Sequence, residues 1–234
     1  MPETAGKPSM PDFFNQQMAE SYDEKNSRLS AFSANMHMLI RLILADLPSN
    51  ARVLCAGAGT GAEILALAKD FPGWSFVGVD PSEAMLKVCR DKLAAADLLD
   101  RCELVHGYID DVRDEAKFDA ALSIMVAHFI AREDRSAYYQ AVHDRLKPGG
   151  CFISTEISSD LDAVQFPSLL KNWERVHSMM GANPQSLQSL PDTLRNTLSI
   201  VSQDETESML KRAGFELPVA FLQAFLIRGW YATR

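Results

Sequence analysis

Apolar residues change their spacing several times along this chain. Between residues 13 and 47 they recur at helical intervals. Phe13, Phe14 and Met18 share one face, and Met36, Leu39, Ile40, Leu42, Ile43 and Leu47 mark a strongly amphipathic helix that Pro48-Ser49-Asn50 ends. Tyr22-Asp23-Glu24-Lys25 interrupts the helical region between them. From Arg52 short apolar runs alternate with helix-length stretches. The pattern predicts strands at 53–56, 76–79, 102–105, 118–125 and 151–155, and helices at 61–70, 81–96 and 132–146. Lys147-Pro148-Gly149-Gly150 reads as a turn before the last of these strands. Such alternation predicts an α/β fold, a mostly parallel sheet with helices on both faces.

The rhythm breaks over residues 157–200. This stretch is helix-like, carries Trp173, His177, Met179 and Met180, and is split by Gly181-Ala182-Asn183-Pro184. A helix then runs to Arg212 and stops at Gly214, a C-cap residue type. Phe215 to Tyr231 reads as two strands reversing near Gln223–Phe225. The expected organisation is a flexible tail over 1–12 and one domain over 13–234. A helical cap is expected from 13–47 and 157–200.

Composition narrows the function classes. The chain has 234 residues, 47% hydrophobic, with a net charge of −8 and no basic run. That balance argues against stable nucleic-acid binding and against attraction to an anionic membrane. No run is long enough to cross a bilayer, and residues 1–12 lack a signal-peptide core. Cys55, Cys89, Cys102 and Cys151 are widely spaced with no CxxC pair. This argues against a disulfide framework or metal site and for a reduced, cytoplasmic setting.

The chemistry concentrates in Val53-Leu54-Cys55-Ala56-Gly57-Ala58-Gly59-Thr60-Gly61-Ala62-Glu63, an apolar strand ending in three alternate glycines. Asp80 stands nineteen residues beyond Gly61, closing a second apolar run. A strand, a glycine turn, a helix, a strand and a terminal acid form a nucleoside-binding half-domain. Glycine lets a ligand approach the backbone, and the acid accepts from a ribose diol. The string also fits the dinucleotide pattern G-x-G-x-x-A. Against nicotinamide stand the extra Gly61, the long helical lead and the closing strand pair.

Taken whole, the pattern resembles the class I S-adenosylmethionine-dependent methyltransferases over residues 13–234. Six segments carry the resemblance: 53–61; Asp80-Pro81-Ser82 with Met85; Gly107-Tyr108-Ile109-Asp110; 118–129; Leu146-Lys147-Pro148-Gly149-Gly150; and Ala213-Gly214-Phe215. The resemblance implies a Rossmann-like seven-stranded sheet, mostly parallel with an antiparallel last strand. It also implies S-adenosyl-L-methionine as cofactor. The backbone of Gly57, Ala58, Gly59 and Gly61 would cradle it, with Asp80 on the ribose and Pro81 beside it. Met85 and Ile109 would flank adenine, Met85 reading equally as core. Tyr108 stands where the family offers an acid to the adenine amino group, and Asp110 either replaces that acid or faces water. Cys55 replaces another family acid, which helps hold the methionine amino group; the carbonyls of Ala56 or Ile124 are its substitutes. Thr60 and Glu63 read as a capping box.

At the reactive end, Tyr22 matches an aromatic that closes over the cofactor and is, with His128, a candidate catalytic residue; His128 is also a candidate for acceptor binding. Trp173 and His177, four apart, either line the acceptor pocket or pack the cap. The expected activity is methyl transfer to a small-molecule acceptor. The N-terminal Tyr22–Lys25 segment and the closing third also resemble the carboxy-S-adenosylmethionine synthases of tRNA wobble modification. Those use an arginine where this chain has Met209, with Arg195 as the candidate to compensate. A non-catalytic cofactor-binding domain is the third reading. Phe221, Phe225, Ile227 and Trp230 read as core or as the edge of a homodimer.

Overall fold

A computed structural model describes residues 16–113 and 117–234, the Gln17 side chain excepted. The expected tail, with Phe13 and Phe14, lies outside the described residues. Two helices come first, α1 (Gln16–Ser27) and α2 (Ser30–Ile43). Strands and helices then alternate as β1 (Arg52–Ala56), α3 (Ala62–Asp70), β2 (Ser75–Asp80), α4 (Glu83–Ala95), β3 (Cys102–His106), β4 (Phe118–Ile124), α5 (Arg135–Arg145) and β5 (Leu146–Ile157). The remaining elements are α6 (Phe166–Met179), α7 (Pro184–Gln188), α8 (Leu190–Asp192), α9 (Gln203–Arg212), β6 (Glu216–Ala224) and β7 (Ile227–Thr233). They build one seven-stranded sheet in the order β3-β2-β1-β4-β5-β7-β6. β1 to β5 run parallel, and β7 is antiparallel to both β5 and β6.

The sheet divides two cores because successive side chains on a strand point to opposite faces. In β1, Leu54 and Ala56 join Val77, Tyr139 and Trp230 on one face. Val53 and Cys55 join Met36, Ile40 and Trp74 on the other. The apolar stripe of α2 therefore packs on the sheet itself. A third, smaller cluster lies beneath α6 and α8, around Phe166, Trp173, Leu190, Leu194 and Leu226. No helix among the described residues is long and apolar enough to cross a membrane.

Three expectations need correction. Tyr22-Asp23-Glu24-Lys25 does not interrupt a helix, because α1 runs through it. Lys147-Pro148-Gly149-Gly150 is not a turn preceding a strand but an irregular stretch inside β5. There the register jumps from Phe118↔Leu146 to Ala120↔Cys151, with Gly149 at φ +78°. The helix ending at Arg212 begins only at Gln203, where the Ser202 side chain caps it; α8 runs instead into a π turn over Thr193–Thr197. The final reversal, expected near Gln223–Phe225, falls at residues 225–226, with Phe225 left-handed at φ +54°.

Candidate cofactor site

The glycine turn joins β1 to α3 with Gly57, Gly59 and Gly61 all left-handed, at φ +79°, +52° and +80°. The N–H groups of Gly57 and Ala58 donate to the Val79 carbonyl at 2.8 and 3.0 Å, tying the turn to β2. The three glycines serve different ends. A Cβ on Gly57 would stand 2.4 Å from Val126 Cγ2, and one on Gly61 would stand 2.6 Å from Cys89 Sγ. A Cβ on Gly59 would meet nothing closer than Met85 Cε at 3.6 Å. The first and third glycines admit neighbouring side chains, whereas the second keeps space open.

Asp80 ends β2 directly opposite. Its Oδ2 accepts from the Gly59 N–H at 2.9 Å and its Oδ1 from the Ser82 N–H at 2.8 Å. Burial raises its pKa, and these two backbone donors oppose the rise. Ser82 also caps α4, accepting from the Met85 N–H at 3.2 Å. The carboxylate is thus aimed before any ligand arrives.

A cavity of about 140 Å³ opens at the carboxyl ends of β1, β2 and β4. It straddles β1 and β4, the point where strand order reverses and α/β sheets bind ligands. Of the expected residues, Tyr22, Gly57, Gly59, Asp80, Pro81, Met85, Tyr108, Ile109 and Ile124 line it. Ala56 does so too. Ala58 and Gly61 do not; Ala58 is buried in the α2-side core. Asp110 does not line it either. Its carboxylate is 67% exposed and lies 4.0 Å from Arg145. Asp111 instead receives the Tyr108 N–H, at 2.7 Å.

Of the residues expected at the reactive end, Tyr22 lines the cavity and the others do not. His128 does not line the cavity. It is buried, its Nδ1 accepts from the Ile157 N–H at 3.3 Å, and burial together with Arg135 lowers its pKa to about 3. Trp173 and His177 pack edge to face at 5.2 Å, with Trp173 in the cap cluster and neither lining the cavity. Thr60 and Glu63 form no capping box: Gly61 is the N-cap of α3 without a side-chain bond. The Thr60 hydroxyl donates to Asp23 on α1 at 2.7 Å, and Glu63 lies 3.5 Å from His37. Cys55 is a buried thiol whose pKa burial pushes well up, as a core residue's would be.

Residues absent from the sequence-based list complete the wall: Met125, Val126, Phe129, Ile130 and Tyr138. Met125 holds φ +59°, and its N–H donates to the Thr155 carbonyl at 2.7 Å. A left-handed conformation is costly for a residue with a side chain, and such strain clusters at functional sites. Position after the fourth strand was a signal for 125–130. Tyr138, whose hydroxyl donates to Ser123 Oγ at 2.7 Å, had none.

Residues 53–150 match the family described as methyltransferase domain. The chain is 28% identical over 220 residues to a carboxy-S-adenosyl-L-methionine synthase of Klebsiella pneumoniae, covering 91% of this chain and 87% of that one. It is 26% identical over 205 residues to the protein of that description from Campylobacter lari, covering 87% and 86%. A magnesium protoporphyrin IX methyltransferase from Synechocystis, solved with bound SAH, superposes with a TM-score of 0.68 at 14% identity, covering 95% of this chain and 97% of that one.

Proposed function

We propose, from the premise that this chain is a class I S-adenosylmethionine-dependent methyltransferase in its sheet domain, that it transfers a methyl group to a small, largely apolar acceptor. The cavity residues fit the cofactor part by part. Asp80 accepts from the ribose diol with the lone pairs left over by Gly59 and Ser82. Pro81, Met85 and Ile109 offer apolar faces to the adenine, and the bare Cα of Gly59 keeps the backbone approachable. When bound, the sulfonium supplies an electrophilic methyl carbon. The chain's own contribution is alignment of the reactants and exclusion of water.

The observation that carries this reading is the character of the lining. Asp80 is its one carboxylate, and no lysine, arginine or histidine lines the cavity among the described residues. Met125, Val126, Phe129 and Ile130 make an apolar wall beyond the glycine turn. Burial raises the pKa of Tyr22, so its phenol stays protonated at neutral pH and does not serve as a base. The acceptor is therefore one that needs no strong general base.

The curated relatives favour a second reading, a carboxy-S-adenosylmethionine synthase. A carboxylated group calls for a cation. Met209, at the position expected for that family's arginine, is buried in the core. Arg195 bonds Asp162 and the Leu161 carbonyl, which occupies the residue named as a substitute. Mass spectrometry of the ligand retained through purification separates the readings. S-adenosylmethionine or its demethylated product is expected; carboxylated cofactor would transfer the assignment to the synthase. Calorimetry is expected to show binding weakened by about tenfold or more in Asp80→Ala, from the loss of charge-assisted bonds to the ribose. A wild type that binds no S-adenosylmethionine would end both readings.

A further inference from the structure

We infer that Asp23 and Lys92 are positioning residues which, with Thr60, latch α1 onto the glycine turn and hold Tyr22 across the cavity. The inference rests on the cofactor reading above. Thr60 sits inside the turn, between Gly59 and Gly61, and is 2% exposed. Its hydroxyl donates to Asp23 Oδ1 at 2.7 Å. Lys92 Nζ, from α4, donates to Asp23 Oδ2 at 2.8 Å and to Thr60 Oγ1 at 3.3 Å. One carboxylate of α1 is thereby gripped on both oxygens, once by the turn that cradles the cofactor and once by the helix after Asp80.

Tyr22, the neighbour of Asp23, is the one residue among 16–43 that lines the cavity. Successive residues of a helix are offset by a fixed rotation, so gripping Asp23 sets the direction of Tyr22. Among the described residues of α1, Ala19 is buried in the core. The polar triad ties the helix to both the glycine turn and α4. An exposed ion pair alone contributes little. A carboxylate taking two charge-assisted or buried-hydroxyl bonds at once is a stronger and more directional tie.

The test measures dissociation of S-adenosylhomocysteine by stopped-flow displacement in wild type, Lys92→Met, Asp23→Asn and Lys92→Arg. Asp70→Asn, which breaks the exposed Arg41–Asp70 pair outside the cavity lining, is the control. Dissociation about five- to tenfold faster is expected in Lys92→Met and Asp23→Asn, since changes in affinity are carried mostly by off-rates. Rates near wild type are expected in Lys92→Arg and in the control. Amide exchange over 16–27 should quicken in the two latch variants alone. Should Asp23→Asn fail to fold, Lys92→Met decides, because that side chain is partly exposed and its loss leaves the core intact. Dissociation within about twofold of wild type in Lys92→Met, with α1 exchange unchanged, would overturn the latch while leaving the cofactor reading in place. A wild type without affinity for S-adenosylhomocysteine would overturn both.

Discussion

His128 shows how one residue's surroundings decide its chemistry. A histidine after an apolar strand, near the expected methyl group, reads as a candidate base. Its Nδ1 accepts from a backbone N–H, and burial beside Arg135 lowers its pKa to about 3, from an ordinary value of 6.5. The imidazole is neutral in the folded protein and serves as an acceptor for β5. A group whose folded pKa is depressed binds more protons in the unfolded chain between the two values. Its contribution is therefore complete above pH 6.5 and is lost as pH falls from 6.5 toward 3. Chemical denaturation should show wild type losing stability below pH 6.5 more steeply than His128→Gln, with a difference in slope of up to about 1.4 kcal/mol per pH unit. Equal slopes would mean the imidazole is not held neutral. Methyl transfer should show no inflection from His128 near neutral pH. Asp80, by contrast, was legible from spacing alone, because a strand-end acid opposite a glycine turn has few other destinations. Glu63 and Thr60 misled because a capping box is a local pattern, and α1, brought in by the fold, took the Thr60 hydroxyl.

The glycine turn and the strands it joins can be told apart by substitution. Alanine at Gly57 meets Val126 at 2.4 Å, and at Gly61 it meets Cys89 at 2.6 Å, each on a left-handed backbone. Gly59→Ala carries the backbone strain but meets Met85 only at 3.6 Å, in the cavity. Thermal melts should therefore rank Gly57→Ala and Gly61→Ala well below Gly59→Ala, whose own loss is about 1–2 kcal/mol. Calorimetry should show Gly59→Ala losing cofactor affinity out of proportion to its stability. A similar loss of stability in all three would refute the division of roles. Deeper in the fold, Arg135 of α5 and Glu156 of β5 form a fully buried pair at 2.8 Å. Thr206 of α9 donates to the same carboxylate at 2.7 Å, and Arg135 also reaches the Ser199 carbonyl. Removing one partner strands a buried charge, so Arg135→Met should cost about 3–5 kcal/mol. A denaturant midpoint unchanged from wild type would contradict this. The strands of β1 to β5 were readable to within a residue or two at most ends, because period and length agree there. The Arg135–Glu156 pair was not, because its partners are twenty-one residues apart in sequence and meet only through sheet packing.

At the scale of the whole molecule, the sheet and the cap are held by unequal means. β1 and β4 are covered on both faces, with Leu54 and Ala121 facing one core and Val53, Ala120 and Leu122 the other. The 166–197 segment rests on the smaller third cluster, and Trp173 Nε1 is buried there without a partner among the described residues. Local opening free energies follow buried contact and satisfied polar groups. Native-state hydrogen exchange should therefore show amides of 166–197 opening sub-globally, while those of β1 and β4 exchange only through global unfolding. Trp173→Ala tests the partition. Losing a buried indole costs about 3–5 kcal/mol, and this should appear as faster exchange over 166–197 with β1 nearly unchanged. If both regions accelerate together, cap and sheet are one cooperative unit.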